Sequence, residues 1–351
     1  MTHQCPTNDE TKTTAPAQGV TRRRFLSAAT AGAVAAAAGF SSLAQPRRKA
    51  LVAITLDLEM SAEYPKRGMT EWNYRKGDLD PDTKRYAVKA AELAKDRGGL
   101  IHFFAVGQTL EQEDVGWLKE LAAAGHPIGN HTYDHVNLKA ARPEDVQYRF
   151  RRSPWLIRGK TVEQVIEENI ATTTAALKER CGITANGFRT PGGFNHGLKD
   201  RPDLQKMLLK QGFTWVSSLY PSHKCGSPKQ EPGDEVYADI LRAQAPAQPF
   251  EYPSGLVEVP MSPVSDVTAF RTHYWKLDWF LKAVRLAVEE AVRTGGVFDF
   301  LAHPSCLVVE DPSFEVVKLL CGLVKDAGEK AAVTDLGAIA ARGKDVPQPK
   351  E

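Results

Sequence analysis

"KALVAITLDLEM", residues 49–60, decides how the rest of the chain is read. A run of apolar and β-branched side chains closes on two acids, Asp57 and Glu59. A short apolar run of this kind suits a strand buried on both faces, as in a parallel sheet. The next segments keep that theme. "DPDTKRYAVKAAELAKDRGG" (80–99) opens on Asp, carries apolar residues at helical spacing and stops at Gly, so it predicts a capped helix. "LIHFFAV" (100–106) is strand again. Further helices are expected over 113–125, 161–182, 201–212, 274–296 and 314–328. Strands are expected at "HPIGN" (126–130), "ANGFRT" (185–190), "FTWVSS" (213–218), "GLVEVPMS" (255–262), "VFDFLAHP" (297–304) and "AAVTDL" (331–336).

Strands alternating with helices predict an α/β fold with a mainly parallel sheet. About six to eight such units in about 300 residues suit a β/α barrel, with a doubly wound open sheet as the rival. No Gly-rich fingerprint follows the first strand, which counts against a dinucleotide-binding version. Two stretches, 61–79 and 219–254, are rich in Pro, Gly, Lys and aromatic residues and read as long loops over one face.

Charged residues make up 25% of the chain and the net charge is +2, so charge points to neither nucleic acid nor a membrane surface. Five cysteines, at 5, 181, 225, 306 and 321, form no CxxC and no regular spacing, so no disulfide framework or zinc ribbon is expected. The first 44 residues are of another kind. "TRRRFLSAATAGAVAAAAGFSSLAQP" (21–46) puts Arg22, Arg23 and Arg24 before an Ala-rich run that reaches Leu43. Ser42-Leu43-Ala44 fits the small-x-small rule for cleavage. The run is too short and too weakly apolar to span a membrane. Thr-Arg-Arg-x-Phe-Leu is similar to the bacterial twin-arginine export signal. The expectation is a leader over 1–44, handled by the twin-arginine machinery, and a catalytic domain over 45–351 that works in periplasm, cell wall or medium.

In parallel α/β folds, functional groups collect where strands end. Four strand ends here carry polar residues: Asp57 and Glu59, His131 and His135, Arg189, and His303. His131 and His135 are four apart, close enough across one turn to share an ion. Two imidazoles and a carboxylate form a ligand set for a first-row divalent metal with an open position. Asp57 and Glu59 are two apart on a strand, so both point to one pocket. Either could ligate while the other takes a proton from water.

These residues carry a resemblance. "TLDLE" (55–59), "GHPIGNHTYDH" (125–135), "FRTPGG" (188–193) and "FLAHP" (300–304) are similar, in order and content, to the motifs of NodB-type polysaccharide deacetylases, carbohydrate esterase family 4. The resemblance implies a distorted (β/α)7 barrel and metal-assisted hydrolysis of an acetyl amide or ester. It implies His131 and His135 as metal ligands, Asp57 as general base and Arg189 as its partner. It implies His303 as general acid, Leu301 as a wall for the acetyl methyl, and the Gly192 N–H as oxyanion donor. The family's two acids are usually adjacent; here Leu58 separates them, so Glu59 is assigned as third ligand, with the reverse assignment for Asp57 still open. The fourth motif is also unusual, and Glu258 and Asp266 are both candidates. Zinc is the first-choice ion, with cobalt, manganese and nickel compatible.

The implied partner is an acetylated polysaccharide or oligosaccharide: peptidoglycan, chitin oligomers or xylan. Trp72, Tyr74, Trp155, Trp215 and Tyr220 are aromatic residues that could stack on sugars, although several also read as core and Trp215 reads more readily so. Two other readings stand beside this one. The first is a hydrolase of cyclic imides or other small non-sugar amides on the same fold. The second is a relative that binds metal and carbohydrate without turnover.

Overall fold

The structure is a computed structural model, and it describes residues 48–60 and 76–344. The expected leader, the sugar-stacking candidates Trp72 and Tyr74, and most of the first long loop lie outside the described residues. The elements in chain order are β1 (Ala50–Leu58), α1 (Pro81–Asp96), β2 (His102–Ala105), α2 (Gly116–Ala123), β3 (Ile128–Asn130), α3 (Tyr148–Arg152) and α4 (Val162–Cys181). Then come β4 (Phe188–Phe194), α5 (Pro202–Lys210), β5 (Trp215–Leu219), α6 (Asp234–Gln244), β6 (Phe250–Glu251) and β7 (Val257–Glu258). The last elements are α7 (Leu277–Thr294), β8 (Val297–Ala302), α8 (Pro304–Glu310), α9 (Glu315–Ala327), β9 (Ala331–Val333) and α10 (Leu336–Gly343).

Local chemistry sets several helix boundaries. Asp80 caps α1 by accepting from the Thr83 N–H, with Pro81 at the first helical position. Thr161 and Gln164 form a reciprocal capping box on α4, which stops at Gly182 in the left-handed region. Gly295 ends α7 in the same way.

The strands form one curled sheet in the order β6-β7-β5-β4-β3-β2-β1-β8, with β9 added to β1. All described pairings are parallel except β6 with β7. The chain leaving β7 bridges the gap between β5 and β8. The Met261 N–H donates to Leu219 O at 2.9 Å, and the Ser262 N–H donates to Asp299 O at 3.1 Å. Ser265 then pairs with Leu301 as an isolated parallel bridge. Strands β1, β2, β3, β4, β5, β7 and β8 therefore surround one interior, closed on one side only by the irregular stretch 259–265. This is the distorted barrel that the motif resemblance implied, and the barrel, not the doubly wound sheet, of the two folds that the strand–helix rhythm allowed.

Residues two apart share the interior face. At its base Trp215, Phe104, Val257, Val297 and Ala53 pack together with Leu336 and Ile339 of α10, which plugs that end. The helices cover the outer face, where β1, α1, α7 and α9 contribute to the largest apolar cluster. None of the four described cysteines is in a disulfide. No helix among the described residues is long and apolar enough to cross a membrane.

Two expectations from the sequence differ from the structure, and a third, open one is settled. The stretch 219–254 is not loop throughout, because it contains α6 and β6. Val236, Tyr237, Ile240 and Leu241 give α6 its apolar stripe, but Pro232-Gly233 and Pro246 disguise so short a helix. The strand expected over 255–262 pairs regularly only at Val257–Glu258. Trp215 is core, 5% exposed, with its ring edge-on to His102 and Phe104, so it is not a sugar platform.

Candidate metal and catalytic site

The top of the barrel interior gathers the polar strand ends. Thr55 and Asp57 alternate inward along β1, and Glu59 follows them. Asp57 is 4% exposed and Glu59 5% exposed, so both carboxylates need partners. Arg189 on β4, fully buried, supplies one: its guanidinium reaches Asp57 Oδ1 at 3.1 Å, Thr55 Oγ1 at 2.7 Å and Asp299 Oδ2 at 2.6 Å. Thr55 in turn donates to Asp299 Oδ1 or to Phe300 O. Burial pushes the Asp299 carboxyl up to about 6, against the pull of Arg189 and Thr55.

His131 leaves β3 directly into a turn, not a helix. Thr132 and His135 both have left-handed backbone, with φ of 59° and 56°. That conformation is strained for a β-branched residue, and hydrogen bonds hold it. Asn130 Oδ1 accepts from the Thr132 N–H at 2.8 Å, and Thr132 Oγ1 accepts from the Val136 N–H at 3.0 Å. The turn brings the two imidazole centroids to 5.1 Å from each other.

Glu59 Oε2 lies 2.5 Å from His135 Nε2 and 3.5 Å from His131 Nε2. One ligand atom from each of Glu59, His131 and His135 falls within 4.8 Å of the others. His131 Nδ1 lies 2.9 Å from Arg189 O, a carbonyl that only accepts, so Nδ1 carries the proton. Nε2 points into the cluster, buried and without a hydrogen-bond partner. Its neighbours are the carboxylates of Glu59 and of Asp57, the latter at 3.7 Å. Burial and the nearby Lys76 hold His135 down to about 4, against Glu59, so its imidazole is neutral at physiological pH. An orphaned buried imidazole nitrogen, a neutral imidazole and a carboxylate fit a divalent cation.

Two residues near the cluster had no firm role from the sequence. Lys76, 1% exposed, forms an ion pair with Glu59 Oε1. Burial alone would raise the Glu59 carboxyl, but Lys76, His135 and His303 outweigh it and hold it well below the usual range. Asp266, fully buried, lies 2.9 Å from His303 Nδ1 and accepts the His303 N–H at 2.7 Å. His303 Nε2 then faces Glu59 Oε1 at 3.5 Å. Burial opposes the imidazolium, yet Asp266, Glu59 and Asp57 raise His303 above its ordinary value. The other fourth-motif candidate is elsewhere: Glu258 binds the Ser218 and Leu219 N–H groups and the Tyr252 hydroxyl.

Leu301 is 8% exposed on β8, opposite Thr55 in the strand register. Gly192 is exposed at φ 73°, in the irregular part of β4. Trp155 lies in the short turn at Pro154–Ile157 and is 62% exposed. The Tyr220 hydroxyl contacts Ser265 and Thr268.

Comparison with known proteins agrees with this arrangement. A family model described as polysaccharide deacetylase matches residues 78–200. A chitooligosaccharide deacetylase of Azorhizobium caulinodans is 34% identical over 58 residues, 16% of this chain and 27% of that protein. Among solved structures, one assigned to the polysaccharide deacetylases, from Mycobacterium smegmatis, aligns with TM-score 0.56 at 18% identity over 88% of this chain and 96% of its own. Puue allantoinase aligns with TM-score 0.53 at 13% identity, over 86% and 92% of the two chains. At these identities the structural likeness concerns the fold. The family model covers one part of this chain, and the solved structures share its fold.

Proposed function

We propose that this chain is a metal-dependent hydrolase that removes acetyl groups from N- or O-acetylated polysaccharide. The observation that carries the reading is the Glu59–His131–His135 cluster, with Asp57 beside His131 and His303 beside Glu59. The family match and the curated deacetylase support the choice of acetyl group. Peptidoglycan, chitin oligomers and acetylated xylan are the substrate classes, and the twin-arginine-like leader would deliver the enzyme to them outside the cytoplasm.

Glu59, His131 and His135 would hold the ion, zinc first, with cobalt, manganese and nickel compatible. A bound divalent ion supplies Lewis acidity toward the acetyl carbonyl and acidifies water. Asp57 accepts the proton of the attacking water, while Arg189 fixes its other oxygen. His303, oriented by Asp266, donates a proton to the departing nitrogen or oxygen. The Gly192 N–H stabilises the oxyanion and Leu301 lines the space for the methyl group.

A second reading is hydrolysis of a cyclic imide or other small amide at the same site. The burial of Asp57, Glu59, His131 and His303 favours it, since each is at most 6% exposed. Acetate release from chitin oligomers, peptidoglycan and acetylated xylan, run beside ring-opening of simple cyclic imides, separates the two. Acetate from a sugar supports the deacetylase. Imide opening without acetate from any sugar replaces it.

A further inference from the structure

Lys76 contacts the metal-ligand cluster, and the hydrolytic chemistry above gives it no role. Its ammonium is paired with Glu59 Oε1, whereas Glu59 Oε2 faces His131 and His135. Its end also lies 3.7 Å from Met60 Sδ. The backbone holds it there: the Gly77 N–H donates to Glu59 O at 2.7 Å. Gly77 turns at φ 92°, and a Cβ on it would stand 2.5 Å from Gln108 Cβ, so the turn that aims Lys76 inward needs glycine. The neighbouring buried cation, Arg189, is already shared by Asp57 and Asp299.

We propose that Lys76 is a built-in counter-cation for Glu59, which leaves the metal one Glu59 oxygen and weakens divalent binding at this site. The proposal rests on the metal reading above. A buried carboxylate without a counter-charge is costly, so Lys76 lets the site form before an ion arrives. Once an ion arrives, two cations share one carboxylate in a poorly screened interior and repel each other. Removing Lys76 also frees the Glu59 rotamer, which opposes tighter binding by only about a few-fold. The Coulombic effect is the larger, so the net change is tighter binding.

The test is titration of the full chain, stripped by chelation, with Zn²⁺ alone, read by calorimetry and by thermal melting. Lys76→Met should bind Zn²⁺ about tenfold tighter or more than wild type. Its melting temperature should be lower without metal and should rise further on adding it. Lys76→Arg keeps the charge and should bind like wild type. Lys76→Gln carries the same expectation as methionine and serves if that variant does not fold. Equal or weaker binding by the neutral variants, with binding abolished by His131→Ala, overturns the role of Lys76 and leaves the metal reading standing. Tightening by Lys76→Arg equal to that of the neutral variants also overturns it. Absence of Zn²⁺ binding at one equivalent in every protein, or binding untouched by His131→Ala, overturns both.

Discussion

Asp57 borders the cluster beside His131 and His303 borders it beside Glu59, and their partners differ in sign. Asp57 meets a guanidinium, which suits a carboxylate that accepts a proton. His303 meets a carboxylate, which suits an imidazolium that gives one. Asp57→Asn should keep one ion per chain and lose about 10²–10⁴-fold in kcat, checked by metal analysis and steady-state kinetics. Full activity in that variant would remove Asp57 as base. Asp266→Asn tests the acid. His303 must be protonated to act, so activity falls as pH rises through its raised pKa. Without Asp266 that pKa drops, and the alkaline limb of the kcat profile should move to lower pH. An unmoved limb would assign it to another group. The histidine pair and the strand-end acids were legible because chemistry-bearing residues interrupt apolar runs. Lys76 was not, because it lies in an irregular stretch where no periodicity says which side chains turn inward.

At the scale of elements, the barrel interior depends on where side chains are missing. Gly187 precedes β4 at φ 77°, and a Cβ there would stand 1.9 Å from the Trp215 ring. Gly129 on β3 makes similar room for Phe104, with a Cβ only 2.5 Å from that ring. Gly187→Ala should therefore cost about 2–4 kcal/mol of stability, combining overpacking with left-handed strain, measurable by denaturant unfolding. A change below about 0.5 kcal/mol would mean that the base of the barrel is loosely packed. Most helices were readable from caps and spacing, as at Asp80 and Thr161. Strand β7 was read too long, because "GLVEVPMS" has strand composition while the barrel closure needs only a short ladder there. Composition cannot report that geometric demand.

At the scale of the whole molecule, His102 couples the sheet to its terminal helix. The Leu336 N–H donates to Nδ1 at 3.3 Å, and Nε2 lies 3.0 Å from Asn186 O, so Nε2 carries the proton. Burial lowers its pKa to about 4 from 6.5. A depressed basic group contributes stability above its unfolded pKa, and that stability is lost as pH falls from 6.5 toward about 4. The loss should reach about 3 kcal/mol, and His102→Gln should flatten the dependence of melting temperature on pH in that window. An equal slope in the variant would place the acid sensitivity elsewhere. The α/β class and the barrel were legible from the alternation of strand and helix, whereas the α10 plug was not, since it follows the last expected strand. The most direct test of the account is acetate release from acetylated chitin oligomers, peptidoglycan and xylan by the chelated full chain, before and after one equivalent of Zn²⁺. The account predicts no acetate before, acetate after, and none after in His131→Ala. Acetate release that ignores both the chelator and His131 would contradict it.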